Sequence, residues 1–179
     1  MRYGCYMDSP VGKLQLVEKD GALTHVLFCS RHEPKPPTEK GHEVLAKVAG
    51  KTVYFTEECT PLLKKVQEEL KEYFAGKRKA FTIPLDPEGT PFQLKAWEGL
   101  RTIPYGQTRT YKEMAEYAQC PLGYRAIGMA NNRNPISIIV PCHRVIGSNG
   151  KLVGFGGGLD KKELLLDLEK STSKKGHAE

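Results

Sequence analysis

The sequence predicts an α+β fold: a small N-terminal sheet-and-helix domain, then a mostly helical C-terminal domain carrying a helix-turn-helix. Three observations predict it. Alternating apolar segments joined by a tight turn open the chain. One amphipathic helix follows. The second half is then punctuated by helix-capping signals rather than strand signals.

The elements follow in order. Gly12 to Val17 and Ala22 to Phe28 alternate as strands do, and Lys19-Asp20-Gly21 between them reads as a hairpin turn. Glu33 to Gly41 is rich in Pro and Lys and reads as a loop. Thr60-Pro61 supplies a cap and a first-turn proline, and Leu62, Leu63, Val66, Leu70, Tyr73 and Phe74 share one helical face that Gly76 ends. Lys77 to Gly89, with Pro84 and Pro87, is a connector. The reading therefore places a supporting domain over 1–85 and a second domain over 90–170.

In the second domain, Thr90-Pro91-Phe92-Gln93 and Thr110-Tyr111-Lys112-Glu113 are capping boxes. The helix that each begins is expected to bury Phe92, Ala96, Trp97 and Leu100, and Met114, Ala115 and Ala118. Cys120 to Gly123 is a turn and Tyr124 to Asn132 a short helix, completing a helix-turn-helix. Ala126, Gly128 and Ala130 make that last helix thin enough to lie close to another surface. Ile136 to Val140 reads as buried extended chain, Val145 to Val153 as a hairpin around Ser148-Asn149-Gly150, and Gly156-Gly157-Gly158 as a loop. Leu159 to Lys170 is a final helix, and 171–179 is expected to be a disordered tail.

A chain of 179 residues with 39% hydrophobic and 27% charged residues can form a real core and has no apolar run able to cross a bilayer. The opening Met1 to Cys5 has no signal-peptide apolar segment, so a cytoplasmic or nuclear location is expected, not secretion. A net charge of +6 favours polyanionic partners, nucleic acid first. Five cysteines without regular spacing do not read as a disulfide framework, which leaves free thiols that can serve as nucleophiles.

Pro141-Cys142-His143-Arg144-Val145 places a thiol beside an imidazole, a candidate activated nucleophile. Alone, a cysteine after an apolar run is more often a small buried hydrophobe. Its surroundings change that. This segment resembles the active-site signature of the O6-alkylguanine-DNA alkyltransferase family, the methylated-DNA–protein-cysteine methyltransferases. Arg125-Ala126-Ile127-Gly128, Asn134-Pro135, Thr90 to Gln93, Trp97, Ile103 to Gly106, Thr110-Tyr111 and Glu169 match the same family in order and spacing. The resemblance is strong from Thr90 to Glu169. In the first half it rests on Ser9 to Leu14 and the helix at Leu62.

The resemblance implies DNA repair by direct, stoichiometric and irreversible alkyl transfer from O6-alkylguanine in double-stranded DNA, with O4-alkylthymine as a second candidate lesion. Cys142 is then nucleophile and acceptor, His143 a general base through a water, and Glu169 the group that orients His143. Asn134 ties the recognition helix to the active-site turn. Tyr111 donates to guanine N3 and meets the DNA backbone. Arg125 enters the base stack in place of the flipped nucleotide. Ala126 and Gly128 allow minor-groove approach, while Pro141, Val145, Gly156 and Gly157 line the substrate pocket. The implied protein is a self-inactivating monomer without cofactor.

Cys5, His25, Cys29 and His32 suggest zinc, but they lack paired spacing and do not align with the family's zinc pattern, so no metal is expected. Lys161-Lys162 and Lys174-Lys175 read as solvated charges. Two other classes compete. A thiol hydrolase or acyltransferase would need an oxyanion hole that the sequence does not mark. A helix-turn-helix regulator would keep its function without Cys142. Family relatives that bind lesions without repairing them replace the cysteine, which is present here.

Overall fold

The computed structural model describes residues 1–29, 43–48, 51–120, 123–150, 152 and 158–176. The chain divides into two compact units, Met1–Pro87 and Glu88–Glu179.

The first unit is a five-stranded sheet with one helix. Its strands are β1 (Arg2–Met7), β2 (Leu14–Lys19), β3 (Ala22–Phe28), β4 (Glu43–Val48) and β5 (Lys51–Glu57), in the order β3-β2-β1-β5-β4. All pairings are antiparallel except β1 with β5, which is parallel. The expected β2–β3 hairpin forms, with Asp20 and Gly21 both at positive φ in its turn. Strands β1, β4 and β5 were not foreseen. Gly4 breaks the apolar rhythm of β1 for a packing reason: a Cβ there would lie 2.4 Å from the Phe55 ring. The Glu33 to Gly41 loop expectation falls outside the described residues.

Helix α1 (Pro61–Phe74) buries Leu63, Val66, Leu70 and Tyr73, the face that the periodicity marked. Thr60 caps it by accepting from Leu63 N, and its hydroxyl donates to Glu18 on β2 at 2.8 Å, so the cap also docks the helix on the sheet. On another part of the sheet Val17 and Phe55 form a buried pair flanked by Tyr6 and Leu27. Glu69, buried on α1, is satisfied by Thr82 N at 2.7 Å and by Arg78 at 3.2 Å.

The second unit contains α2 (Pro91–Arg101), β6 (Arg109–Thr110), α3 (Tyr111–Tyr117), α4 (Tyr124–Asn132), a 3₁₀ turn at Cys142–Arg144, β7 (Val145–Ile146) and α5 (Leu159–Gly176). Both capping boxes form with reciprocal hydrogen bonds. Trp97 of α2 donates to Ala130 O at 2.8 Å, tying α2 to α4.

Two expectations are corrected and a third is met in part. Ile136 to Val140 is buried but not extended. It folds into a turn with Val140 N donating to Ile136 O, and Ile138 sits at φ 74, a strained setting for a β-branched residue. Val145–Ile146 pairs in parallel with Arg109–Thr110, a partner the reading did not name, and Gly150 N closes the expected turn on Gly147 O, while residues 151 and 153 of the expected second arm lie outside the described residues. Helix α5 continues to Gly176 instead of ending at Lys170, so residues 171–176 are not a disordered tail. The hydroxyls of Ser171 and Thr172 donate back to Leu168 O within this last stretch.

Candidate active site and DNA interface

The site is built around the 3₁₀ turn. Pro141 precedes it, with φ set by its ring, and its carbonyl accepts from Arg144 N at 3.0 Å. Cys142 is 5% exposed and His143 fully buried. Adjacent residues on such a turn point different ways, so Cys142 and His143 face different surroundings.

His143 Nε2 is hydrogen-bonded to Glu169 Oε2. The other oxygen of Glu169 accepts from Arg144 Nε at 2.7 Å and from Gly106 N at 3.3 Å, and Arg144 also donates to Ile103 O at 2.8 Å. Gly106 holds φ 77, and a Cβ there would collide with Ser173 Oγ at 2.1 Å, so the turn after α2 can approach α5 only as glycine. Burial opposes the charge on Glu169, but bonding to His143 and Arg144 outweighs it and brings the carboxyl down to about 2. Burial pushes His143 below its ordinary value, against the pull of Glu169. The result is a neutral imidazole beside an ionised carboxylate that Arg144 balances. His143 Nδ1 is buried and has no hydrogen-bond partner among the described residues.

Asn134 clamps the strained turn. Its Nδ2 donates to Val140 O at 2.8 Å, and its Oδ1 accepts from Ile136 N at 3.0 Å. The loop leaving α4 is thereby fixed to the residue two before Cys142. Burial raises the Cys142 thiol above its ordinary value, and Asn134, Lys162 and nearby backbone groups pull the other way.

Lys162 is the main correction to the reading of charged residues. It is not solvated but 0% exposed, donating from Nζ to Val145 O at 2.6 Å and lying 5.9 Å from the centre of the Tyr111 ring. Burial lowers its affinity for a proton, and Cys142 opposes that. Val145 N also donates to Cys142 O, so both backbone groups of Val145 are engaged within the protein. Tyr111, at the start of α3, is raised by burial and then by Cys142.

A groove of about 500 Å³ runs between α3 and α4, lined by Tyr111, Lys112, Tyr124, Arg125, Gly128 and Asn132, with Ser148 at one side. Arg125 and Ala126 are exposed, and a Cβ on Gly128 would meet nothing within 4 Å, so the outer face of α4 is open. Gly156 and Gly157 lie outside the described residues. Of the residues considered for zinc, Cys5 Sγ lies 3.3 Å from Cys59 Sγ and His25 Nδ1 is 2.8 Å from Thr24 Oγ1, while His32 lies outside the described residues. Among the described residues no helix is long and apolar enough to cross a membrane.

Two family descriptions match the chain. The ribonuclease-like domain of 6-O-methylguanine DNA methyltransferase matches residues 1–87, and the DNA binding domain of the same family matches residues 91–171. The chain belongs to the 6-O-methylguanine DNA methyltransferase family. Curated relatives named methylated-DNA–protein-cysteine methyltransferase include those of Methanosarcina barkeri, 44% identical over 92% of this chain and 95% of the relative, and Methanosarcina mazei, 45% identical over 93% and 96%. Among solved structures, the Mycobacterium tuberculosis O6-methylguanine methyltransferase superposes with a TM-score of 0.79 at 38% identity, covering 96% of this chain and 94% of that one. A structure of the Mycobacterium tuberculosis protein in complex with DNA superposes equally well, at 39% identity over 95% and 94%.

Sequence reasoning missed two residues of this family member's site. Arg144 was seen only as part of the motif, and Lys162 was read as a surface charge. A lysine on a helix face otherwise carrying Leu165 and Glu169, both buried, was the available signal for Lys162.

Proposed function

We propose that this methyltransferase repairs duplex DNA by moving the alkyl group of O6-alkylguanine onto Cys142, irreversibly and once per molecule. The observation that carries this reading is the chain of contacts from the residue beside Cys142: His143 to Glu169, and Glu169 to Arg144 and Gly106.

With Nε2 engaged by Glu169, Nδ1 is the ring atom able to take a proton, and it reaches the thiol through a bridging water. The Lys162 ammonium favours the thiolate that results. Sulfur attacks the alkyl carbon, the carbon–O6 bond breaks, and its electron pair passes to the purine. Tyr111 donates toward N3 of the leaving guanine, so the charge that develops there is met by a proton. The products are a thioether and an unmodified guanine. Nothing in the site can cleave a thioether, hence one turnover. Asn134 holds the active-site turn to α4, so base recognition and chemistry share one rigid support.

The lesion lies inside the base stack and must be brought out. The open outer face of α4 supports minor-groove contact, with Ala126 and Gly128 allowing close approach and Arg125 filling the vacated stack. Pro141 shapes the pocket wall, Val145 acts through its bond to Lys162, and the Gly156-Gly157 loop supplies the remaining wall. We read the protein as a monomer working in the cytoplasm, a compartment consistent with five cysteines that are free thiols.

The test is intact-mass analysis after mixing with an oligonucleotide carrying O6-methylguanine. The expected result is one methyl gained per protein, mapped to Cys142, and an equal loss of lesion. Retained lesion with no mass gain would sink the reading in favour of a lesion-binding regulator.

A further inference from the structure

The first unit holds a pair of thiols in contact, outside the site described above. Cys5 lies in β1, and Cys59 stands immediately before Thr60, the cap of α1. They are 54 residues apart in the chain, yet their sulfurs are 3.3 Å apart. The sheet imposes this approach. β1 and β5 are paired in register at Tyr3 with Thr56 and Gly4 with Glu57, and Glu58 N donates to Gly4 O at 2.9 Å. Gln67 of α1 closes the other side, its amide nitrogen 3.5 Å from Cys5 Sγ and 3.2 Å from Tyr6 O. Cys5 is buried and Cys59 partly exposed.

We infer that Cys5 and Cys59 form a modification site, a dithiol that hydroperoxides convert into a reversible disulfide linking the sheet to the start of α1. The geometry asks only for a small side-chain rotation to bring the sulfurs to a bond of about 2.05 Å. Cys59, the accessible member, is oxidised first. Its sulfur takes one oxygen from the hydroperoxide, giving a sulfenic acid and releasing water or the corresponding alcohol. Cys5 sulfur then attacks Cys59 sulfur. The S–O bond breaks, hydroxide leaves, and it takes the Cys5 proton as a second water. Burial and the neighbouring Cys59 push the Cys5 thiol up to about 12, so Cys5 is not the member oxidised first. A thiol reductant reverses the bond by exchange. Cys142, almost fully buried in the other unit, has no comparable partner sulfur among the described residues.

The experiment treats the whole protein with hydrogen peroxide, blocks free thiols with N-ethylmaleimide, and maps the peptides. The expected product has lost two hydrogens, carries a Cys5–Cys59 linked peptide, and returns to five free thiols with dithiothreitol. Cys59→Ser is expected to lose the linked peptide and to keep its alkyl-transfer capacity. A link from either residue to Cys29, or Cys59 passing to sulfinic acid while Cys5 remains open to maleimide, would overturn the assignment.

Discussion

Lys162 donates to the carbonyl of Val145 at 2.6 Å, and neither side chain reaches solvent. A buried ammonium is costly, so one that persists beside a nucleophile is held there by charge it can stabilise. Lys162→Met keeps the volume and removes the cation. The thiol of Cys142, already raised by burial, would rise further. Single-turnover transfer at neutral pH is expected to slow by at least about tenfold, and the pH at which the rate levels off to move upward. An unchanged pH–rate profile would mean that Lys162 only fills space.

Asn134 joins two backbone groups on either side of a strained turn. Asn134→Ala leaves Ile136 N buried without its acceptor and Val140 O with only the Cys142 N–H. The expected loss is roughly 2–4 kcal/mol of stability, read by chemical denaturation. Asn134→Asp is the sharper probe, since it can keep the acceptor bond while losing the donor. It should fall between wild type and alanine.

Acid sensitivity follows from two groups acting in the same direction. Glu169 titrates at about 2 in the folded protein against 4.5 ordinarily, so its contribution is complete above the ordinary value and is lost as pH falls toward 2. His143 is lowered, so the unfolded chain takes up its proton first as pH drops below 6.5. Stability is expected to decline from about pH 6.5 downward and to steepen below about pH 4.5. Glu169→Gln should flatten the lower part and, by stranding Arg144, cost about 3 kcal/mol at pH 7. Urea midpoints measured across this range for both proteins are the check.

The outer face of α4 can be probed without disturbing the fold. Arg125 is exposed, and a side chain at Gly128 would project into open space. Arg125→Ala and Gly128→Leu should each change stability by less than about 1 kcal/mol. Repair of duplex lesions should slow by about tenfold or more, while transfer from the free base O6-benzylguanine stays near wild type. Equal losses on both substrates would move these residues from DNA contact to the chemistry itself.

Local signals carried the helices: the boxes at Thr90 and Thr110 and the face of α1 are properties of residues within four positions of one another. Long-range packing was less legible. Strand β1 was not foreseen, and the Phe55 ring that packs on its Gly4 lies more than fifty positions later in the chain. Ile136 to Val140 looked extended because it is a short apolar run, rich in β-branched residues. Asn134 overrides that preference by bonding both ends, which obliges Ile138 to take φ 74. The contact of His143 with Glu169 joins two residues that the resemblance had already marked, and Asn134, marked likewise, bonds the backbone of Ile136 and Val140 instead. Lys162 was hidden because its partner lies 17 positions earlier, and composition alone cannot show which of two adjacent lysines turns inward.

Helix α5 carries both Lys162 and Glu169, seven residues and two turns apart on one side of one rod. In the proposed mechanism, the cation that favours the sulfur anion and the acid that steers the imidazole are therefore geared together. A sliding or fraying of that rod would detune both at once. The winding beyond Lys170, through Ser173 against Gly106, works as an anchor bolt for the reactive centre several turns away.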